Sequence, residues 1–255
     1  MRSFPASRAV LALMLTLAAT VFGVGATGSA AYADGCYTWG RQLSQGMSGD
    51  DVRQLQIRVA GWGGYRTVVA VDGVYGTGTA NAVKRFQAAY GLSADGIAGT
   101  QTFNKIYSLQ DDDCSPIHFS FAEMDDVCYG GFSGGPISAA ATKANILRTM
   151  WKLEALRHAL GDKPLSVRGF RGHTCNSQIG GASNSQHLYG TAADIWSSSF
   201  TLCTIGKQAR YHGFSGILGP GYPDHDDHIH ADSRYENNDD GATNTWSWVA
   251  PNCGI

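Results

Sequence analysis

The chain has 255 residues, 16% of them charged, and a formal net charge of −2 at pH 7. That length suffices for one medium domain and one small one, and the absence of a basic patch speaks against a nucleic-acid partner. After the N-terminal apolar run, no stretch is long and apolar enough to span a membrane.

Residues 1–33 read as a signal peptide. Arg2 and Arg8 supply the charged start, Ala9 to Ala26 the apolar run, and Ala31-Tyr32-Ala33 an A-x-A cleavage site. Cleavage there leaves about 222 residues starting at Asp34, with 17 basic against 21 acidic side chains, a net charge near −4. The mature protein is therefore expected outside the cell, with no membrane attachment once the signal is removed. Six cysteines follow the cleavage site: Cys36, Cys114, Cys128, Cys175, Cys203 and Cys253. An even count in an exported chain reads as three disulfides, in any of fifteen pairings.

Next comes a repeat. Asp72-Gly73-Val74-Tyr75-Gly76-Thr77-Gly78-Thr79 recurs as Asp95-Gly96-Ile97-Ala98-Gly99-Thr100-Gln101-Thr102, a period of 23 residues. The glycines predict tight turns, and the closing Thr79 and Thr102 are placed to cap helices. Ala80, Val83, Phe86 and Tyr90 then share one helical face, as Phe103 and Ile106 do more briefly. Upstream, Ser48 with Asp51 marks a helix start, and Val52, Leu55 and Val59 line one side. The reading is a small three-helix module over residues 34–113, joined by Asp111-Asp112-Asp113, Cys114 and Pro116 to a second domain over 114–255.

In that second domain Ser138 to Leu160 predicts a long helix, capped by Ser138 and ended by Gly161. Ala140, Ala144, Leu147, Trp151 and Leu156 form its apolar stripe. Strands are expected over Leu165–Phe170, Thr191–Ile195, Phe214–Leu218 and His228–Ala231, with a helix over Thr201–His212. The fold class is α+β, with an antiparallel sheet and flanking helices in the second domain.

The chemistry gathers in Ser185-Gln186-His187-Leu188-Tyr189-Gly190-Thr191-Ala192-Ala193-Asp194 and His228-Ile229-His230. On a strand, both imidazoles of His-x-His project from one face. Two histidines and one aspartate leave the fourth position of a tetrahedral Zn²⁺ open for water, the pattern of a catalytic site. His212 and His225 add to a cluster of four histidines within twenty residues.

Two resemblances extend this. Gly49-Asp50-Asp51-Val52-Arg53-Gln54-Leu55-Gln56, the two Asp-Gly turns and Ala82-Val83-Lys84-Arg85-Phe86-Gln87 resemble the peptidoglycan-binding module of bacterial wall hydrolases. Gly169-Phe170-Arg171, the His187 to Asp194 stretch and Gly219-Pro220-Gly221-Tyr222-Pro223-Asp224-His225-Asp226-Asp227-His228-Ile229-His230 are similar to the actinobacterial zinc D-Ala-D-Ala carboxypeptidases of the peptidase M15 type. The resemblance implies one zinc ion per chain on His187, Asp194 and His230. It implies an acid/base role for His225, and for Arg171 a hold on the substrate or polarisation of the scissile carbonyl. It also implies disulfides Cys36–Cys114, Cys128–Cys175 and Cys203–Cys253. His228 is expected to orient a neighbour through its second nitrogen, with Asp227 as a partner for one of these rings. The implied partner is cell-wall peptidoglycan, the substrate its stem peptides, and the state a monomer. The alternatives are an L,D-type wall endopeptidase on the same scaffold and a non-catalytic wall-binding protein. The chain departs from the family pattern at Arg168-Gly169-Phe170-Arg171-Gly172, where Ser-Gly-Phe-Arg-Ser is usual. It departs again at Ile229-His230-Ala231 in place of Thr-His-Val, and in an acidic tail over Asp232–Asp240.

Overall fold

A computed structural model describes residues 36–235 and 243–255; the signal-peptide reading and most of the acidic tail lie outside them. Among the described residues no helix is long and apolar enough to cross a membrane. The chain packs around two hydrophobic clusters. The first holds α1 (Asp50–Arg58), α2 (Thr77–Ala89) and α3 (Thr100–Ser108), with Leu55, Val83, Phe86 and Ile106 at its centre.

The repeat is a repeated polar lock. Gln56 donates through Nε2 to Asp72 Oδ1, the Val74 carbonyl and Thr79 Oγ1, and accepts from the Gly73 amide. Gln87 makes the same set with Asp95, Ile97, Thr102 and Gly96. Gly73 at φ 75° and Gly96 at φ 77° take the left-handed turn that each lock closes on. The two threonines are thus not caps. Helices α2 and α3 begin at Thr77 and Thr100 behind Gly76 and Gly99, and the buried Thr79 and Thr102 hydroxyls are drawn inward by glutamine. Gly49, not Ser48, precedes α1.

The second cluster is built on α4 (Ala139–Ala159), β1 (Ser166–Arg168), α5 (His173–Gln178), β2 (Ala192–Trp196), α6 (Leu202–Ala209), β3 (Gly216–Leu218), β4 (Ile229–Asp232) and β5 (Ser247–Val249). Ser138 caps α4 by accepting from the Ala141 amide, and Gly161 follows its end at φ 80°. The expected stripe is displaced, for Ala140 and Ala144 are exposed. From Arg148 to Arg157 the helix is buried all round because it serves both clusters. Trp151 and Ala155 enter the first, and Ile146, Met150, Leu153 and Leu156 the second.

The two clusters are knitted together beside α4. A Cβ on Gly61 would lie 2.5 Å from Ala155 Cβ and 2.9 Å from Lys152 Cα, so only glycine allows this approach. The Gly64 and Arg66 amides donate to the Tyr211 and Arg210 carbonyls, and Trp62 stands edge-on to His212. An apolar interface of this kind holds its two sides as one body.

The sheet runs β1-β2-β4-β3-β5. Its first four strands pair antiparallel, as expected, but β5, which the sequence did not suggest, joins β3 in parallel. Alternation along the strands divides the faces. Val167, Ala193, Ile195, Ile229 and Ala231 point into the core. Arg168, Asp194, Trp196, His230 and Asp232 therefore share the opposite face, where Asp194 stands directly across from both Arg168 and His230. Disulfides join Cys36–Cys114, Cys128–Cys175 and Cys203–Cys253, the pairs the resemblance implied, and no cysteine is left free.

Candidate metal centre

His187 reaches the polar face from a 3-10 turn, Gln186–Tyr189, in which its own amide donates to the Ser185 hydroxyl. Asp194 sits in β2 and His230 opposite it in β4. Their donor atoms converge: His187 Nε2 lies 3.0 Å from Asp194 Oδ1 and 3.0 Å from His230 Nδ1, and His230 Nδ1 lies 3.2 Å from Asp194 Oδ1.

The outer nitrogens decide which atoms those are. His187 Nδ1 faces the Gly169 carbonyl, which can only accept, so this nitrogen carries the hydrogen. His230 Nε2 likewise donates to Asp232 Oδ2 at 2.8 Å. Burial pushes His187 down to about 4 and keeps it neutral, so its Nε2 offers a lone pair. Burial also favours a neutral Asp194, but its interactions with His187 and His230 outweigh it and hold the carboxyl well below the usual range. At His230 the bonds to Asp194 and Asp232 overcome burial and push the ring up to about 9. Lone pairs of His187 Nε2 and Asp194 Oδ1 thus meet at His230 Nδ1, and the pocket they form attracts a cation. A tetrahedral zinc with bonds of about 2.0–2.1 Å separates its ligands by about 3.3 Å, close to the spacings here. The donor set and the spacing fit zinc, which would take the place of the proton on His230 Nδ1.

Sequence reasoning missed the support. Asp232, fully buried, bonds His230 and is gripped in turn by Arg234. Burial raises its carboxyl, but His230 and Arg234 bring it below the usual range. The signal was available, since Asp232 lies two residues beyond His230 on one strand face. The Gly169 carbonyl has no signal in a sequence at all.

Arg171 donates through Nη1 to Asp194 Oδ2 at 2.9 Å, and its Nε is buried without a hydrogen-bond partner. His225 lies beside the centre, its ring 5.9 Å from that of His230. Its Nδ1 donates to the Pro223 carbonyl, which leaves Nε2 as the acceptor, and burial lowers its pKa. Asp224, in the left-handed region at φ 60°, makes the bend that presents this ring. His228 Nδ1 bonds Asp227 Oδ1 at 2.7 Å, and its Nε2 stands 3.5 Å from Asp194 Oδ1. His212 does not join the cluster. It is buried between the two hydrophobic clusters and bonds the Gly61 carbonyl.

The centre opens into two cavities of about 660 and 760 Å³ that share Arg171, Ile179, Asp194 and His228. His225 and His230 line the larger. The Cys128–Cys175 bridge and Asp126, which accepts from the Cys128 and Gly172 amides, fix the loop beside Arg171. Gly131-Phe132-Ser133-Gly134-Gly135 has the G-x-S-x-G spacing of serine hydrolases, but it is an irregular loop with no strand-to-helix elbow.

Comparison with known proteins agrees with this geometry. Residues 117–232 match the family "Peptidase M15", and residues 48–106 match "Putative peptidoglycan binding domain". The chain is 56% identical over 226 residues to the zinc D-Ala-D-Ala carboxypeptidase of Streptomyces albus G, covering 87% of this chain and 84% of that one. It is also 41% identical over 80 residues to an N-acetylmuramoyl-L-alanine amidase of Mycobacterium tuberculosis, covering 31% of this chain and 19% of the amidase. An N-acetylmuramoyl-L-alanine amidase of Bacillus licheniformis is 49% identical over 67 residues, 25% of this chain and 19% of its own.

Proposed function

The chain belongs to the peptidase M15 family, and we propose that it is a secreted, zinc-dependent cell-wall peptidase that removes the terminal D-alanine from peptidoglycan stem peptides. Residues 34–113 form the wall-binding module and 114–255 the catalytic domain. The protein works outside the cell as a monomer with one zinc. The observation that carries this reading is the convergence of His187 Nε2, Asp194 Oδ1 and His230 Nδ1 within 3.0–3.2 Å, with both outer imidazole nitrogens already committed as donors.

Zinc bound there would bring its water to a pKa of about 7 and polarise the scissile carbonyl. The remaining work belongs to the chain. Gly169 and Asp232 hold the two imidazoles in the ligating tautomer, which raises their basicity as ligands. His225, neutral and with Nε2 free to accept, takes the proton of the attacking water and delivers it to the departing amine. Arg171 keeps Asp194 ionised and oriented through Nη1. Its guanidinium, which lines both cavities, brings positive charge to the developing oxyanion or to a substrate carboxylate. Asp227 aims His228 Nε2 at Asp194 Oδ1, a positioning role and not a fourth ligand.

The test is hydrolysis of a synthetic stem peptide ending in D-Ala-D-Ala, with zinc, with chelator, and with His187→Ala. Release of D-alanine that requires both metal and His187 is expected. No release from folded, zinc-loaded protein would overturn the carboxypeptidase reading and direct attention to cross-linked wall or to a binding role.

A further inference from the structure

Arg168 stands where the family pattern has serine, on the face of the sheet that carries the metal centre. Its Cα pairs with that of Asp194 across β1 and β2. Its guanidinium lies over the Trp196 ring, 5.5 Å from the centroid. Both line the 660 Å³ cavity, which reaches Asp194, Arg171 and His228 on one side and is rimmed by Val127 and Ile179. Those two apolar side chains are 59% and 53% exposed, well beyond what packing requires of them.

The other charges of this cavity are engaged. Arg171 is bonded to Asp194, Asp227 is bonded to His228, and Asp125 accepts from the Asp126 amide. Arg168 makes no ion pair among the described residues. A guanidinium over an indole gains cation–π attraction, and without an ion pair its N–H fork stays available to a ligand in the cavity. That fork matches a carboxylate bidentately.

We propose that Arg168, seated on Trp196, is a specificity determinant that binds a carboxylate of the substrate in this cavity, while Val127 and Ile179 contact small apolar side chains beside it. The inference rests on the peptidase reading above. A peptide offers two sources for that carboxylate: the terminal group of the residue to be released, or an acidic side chain further along the stem.

Two pairs of stem peptides separate them, one pair differing only by terminal carboxylate against carboxamide, the other only by the same exchange on an inner side chain. The zinc-loaded full chain is compared with Arg168→Gln and Arg168→Lys. In the pair that carries the recognised group, the carboxylate-to-amide ratio of KM values in Arg168→Gln should collapse by roughly 10- to 100-fold, the range of a charge-assisted hydrogen bond. Arg168→Lys, which keeps charge but loses fork and stack, should fall between. Calorimetric titration of the zinc-loaded protein with the same peptide pairs, made uncleavable by a methylene in place of the scissile carbonyl, reads the same discrimination without turnover. Discrimination in calorimetry without hydrolysis would sink the peptidase reading and keep this one. Equal effects of Arg168→Gln on acid and amide forms in both pairs, or no effect in either, would overturn the proposal.

Discussion

Replacing His212 by glutamine is expected to remove a large part of the protein's sensitivity to acid. The ring is 5% exposed and lodged between the two hydrophobic clusters, where its Nδ1 donates to the Gly61 carbonyl at 2.8 Å. Burial pushes its pKa down to about 4, against about 6.5 in an unfolded chain. Between those values the unfolded chain takes up a proton that the folded chain refuses. The stabilising contribution is therefore complete above pH 6.5 and is lost as pH falls through 6.5 toward 4. The separation corresponds to about 3 kcal/mol in full and about 2 kcal/mol by pH 5. Urea unfolding of the native protein and His212→Gln at pH 7.5 and pH 5, with zinc held constant, isolates this ring, because every other titrating group is common to both proteins. The native protein should lose about 2 kcal/mol more than the variant over that interval. A stability difference that does not change with pH would refute the claim that this histidine is held neutral at the junction.

Three further outcomes are expected. Asp232→Asn, which removes the carboxylate behind His230 but keeps its shape, should weaken zinc binding by roughly 10- to 100-fold in a chelator competition; an affinity within twofold of the native value would count against the support assigned to Asp232. His225→Ala should lower kcat by about 10²- to 10⁴-fold. Because burial lowers the pKa of His225, the acid limb of the native kcat/KM profile should lie below the ordinary histidine value. Rate is retained above that point and lost as pH falls through it, and a limb above the ordinary value would contradict the assignment. Gly61→Ala places a methyl 2.5 Å from Ala155 Cβ and should cost about 1–3 kcal/mol of stability by overpacking, read as a lower melting temperature; an unchanged melting point would mean that α4 and the Gly61 turn separate easily.

Much of the candidate site was legible because its motifs are local. His-x6-Asp and a His-x-His on a strand point to a metal within a few residues, and the glycine turns of the repeat mark themselves in the same way. What could not be read depends on residues far apart in sequence. Thr79 and Thr102 have the composition of helix caps, but Gln56 and Gln87, 23 and 15 residues upstream, draw them into the core. The stripe on α4 was misplaced because a single-sided helix was assumed, and the helix has two partners. His212 lies near three site histidines in sequence, yet it packs against Gly61, 151 residues away. Edge strand β5 is only three residues long and partly buried, with no alternation to mark it.

Helix α4 has a mechanical consequence for an enzyme whose substrate is a polymer. Trp151 and Ala155 are inseparable from the repeat module, while Met150 and Leu153, on the same turns, belong to the core beneath the metal centre. A catalytic domain on a floppy tether would sweep a volume around its anchorage and attack any bond within that radius. Here both cores share the turns of one helix, so the module and the candidate metal site keep a single spacing instead of sweeping past one another.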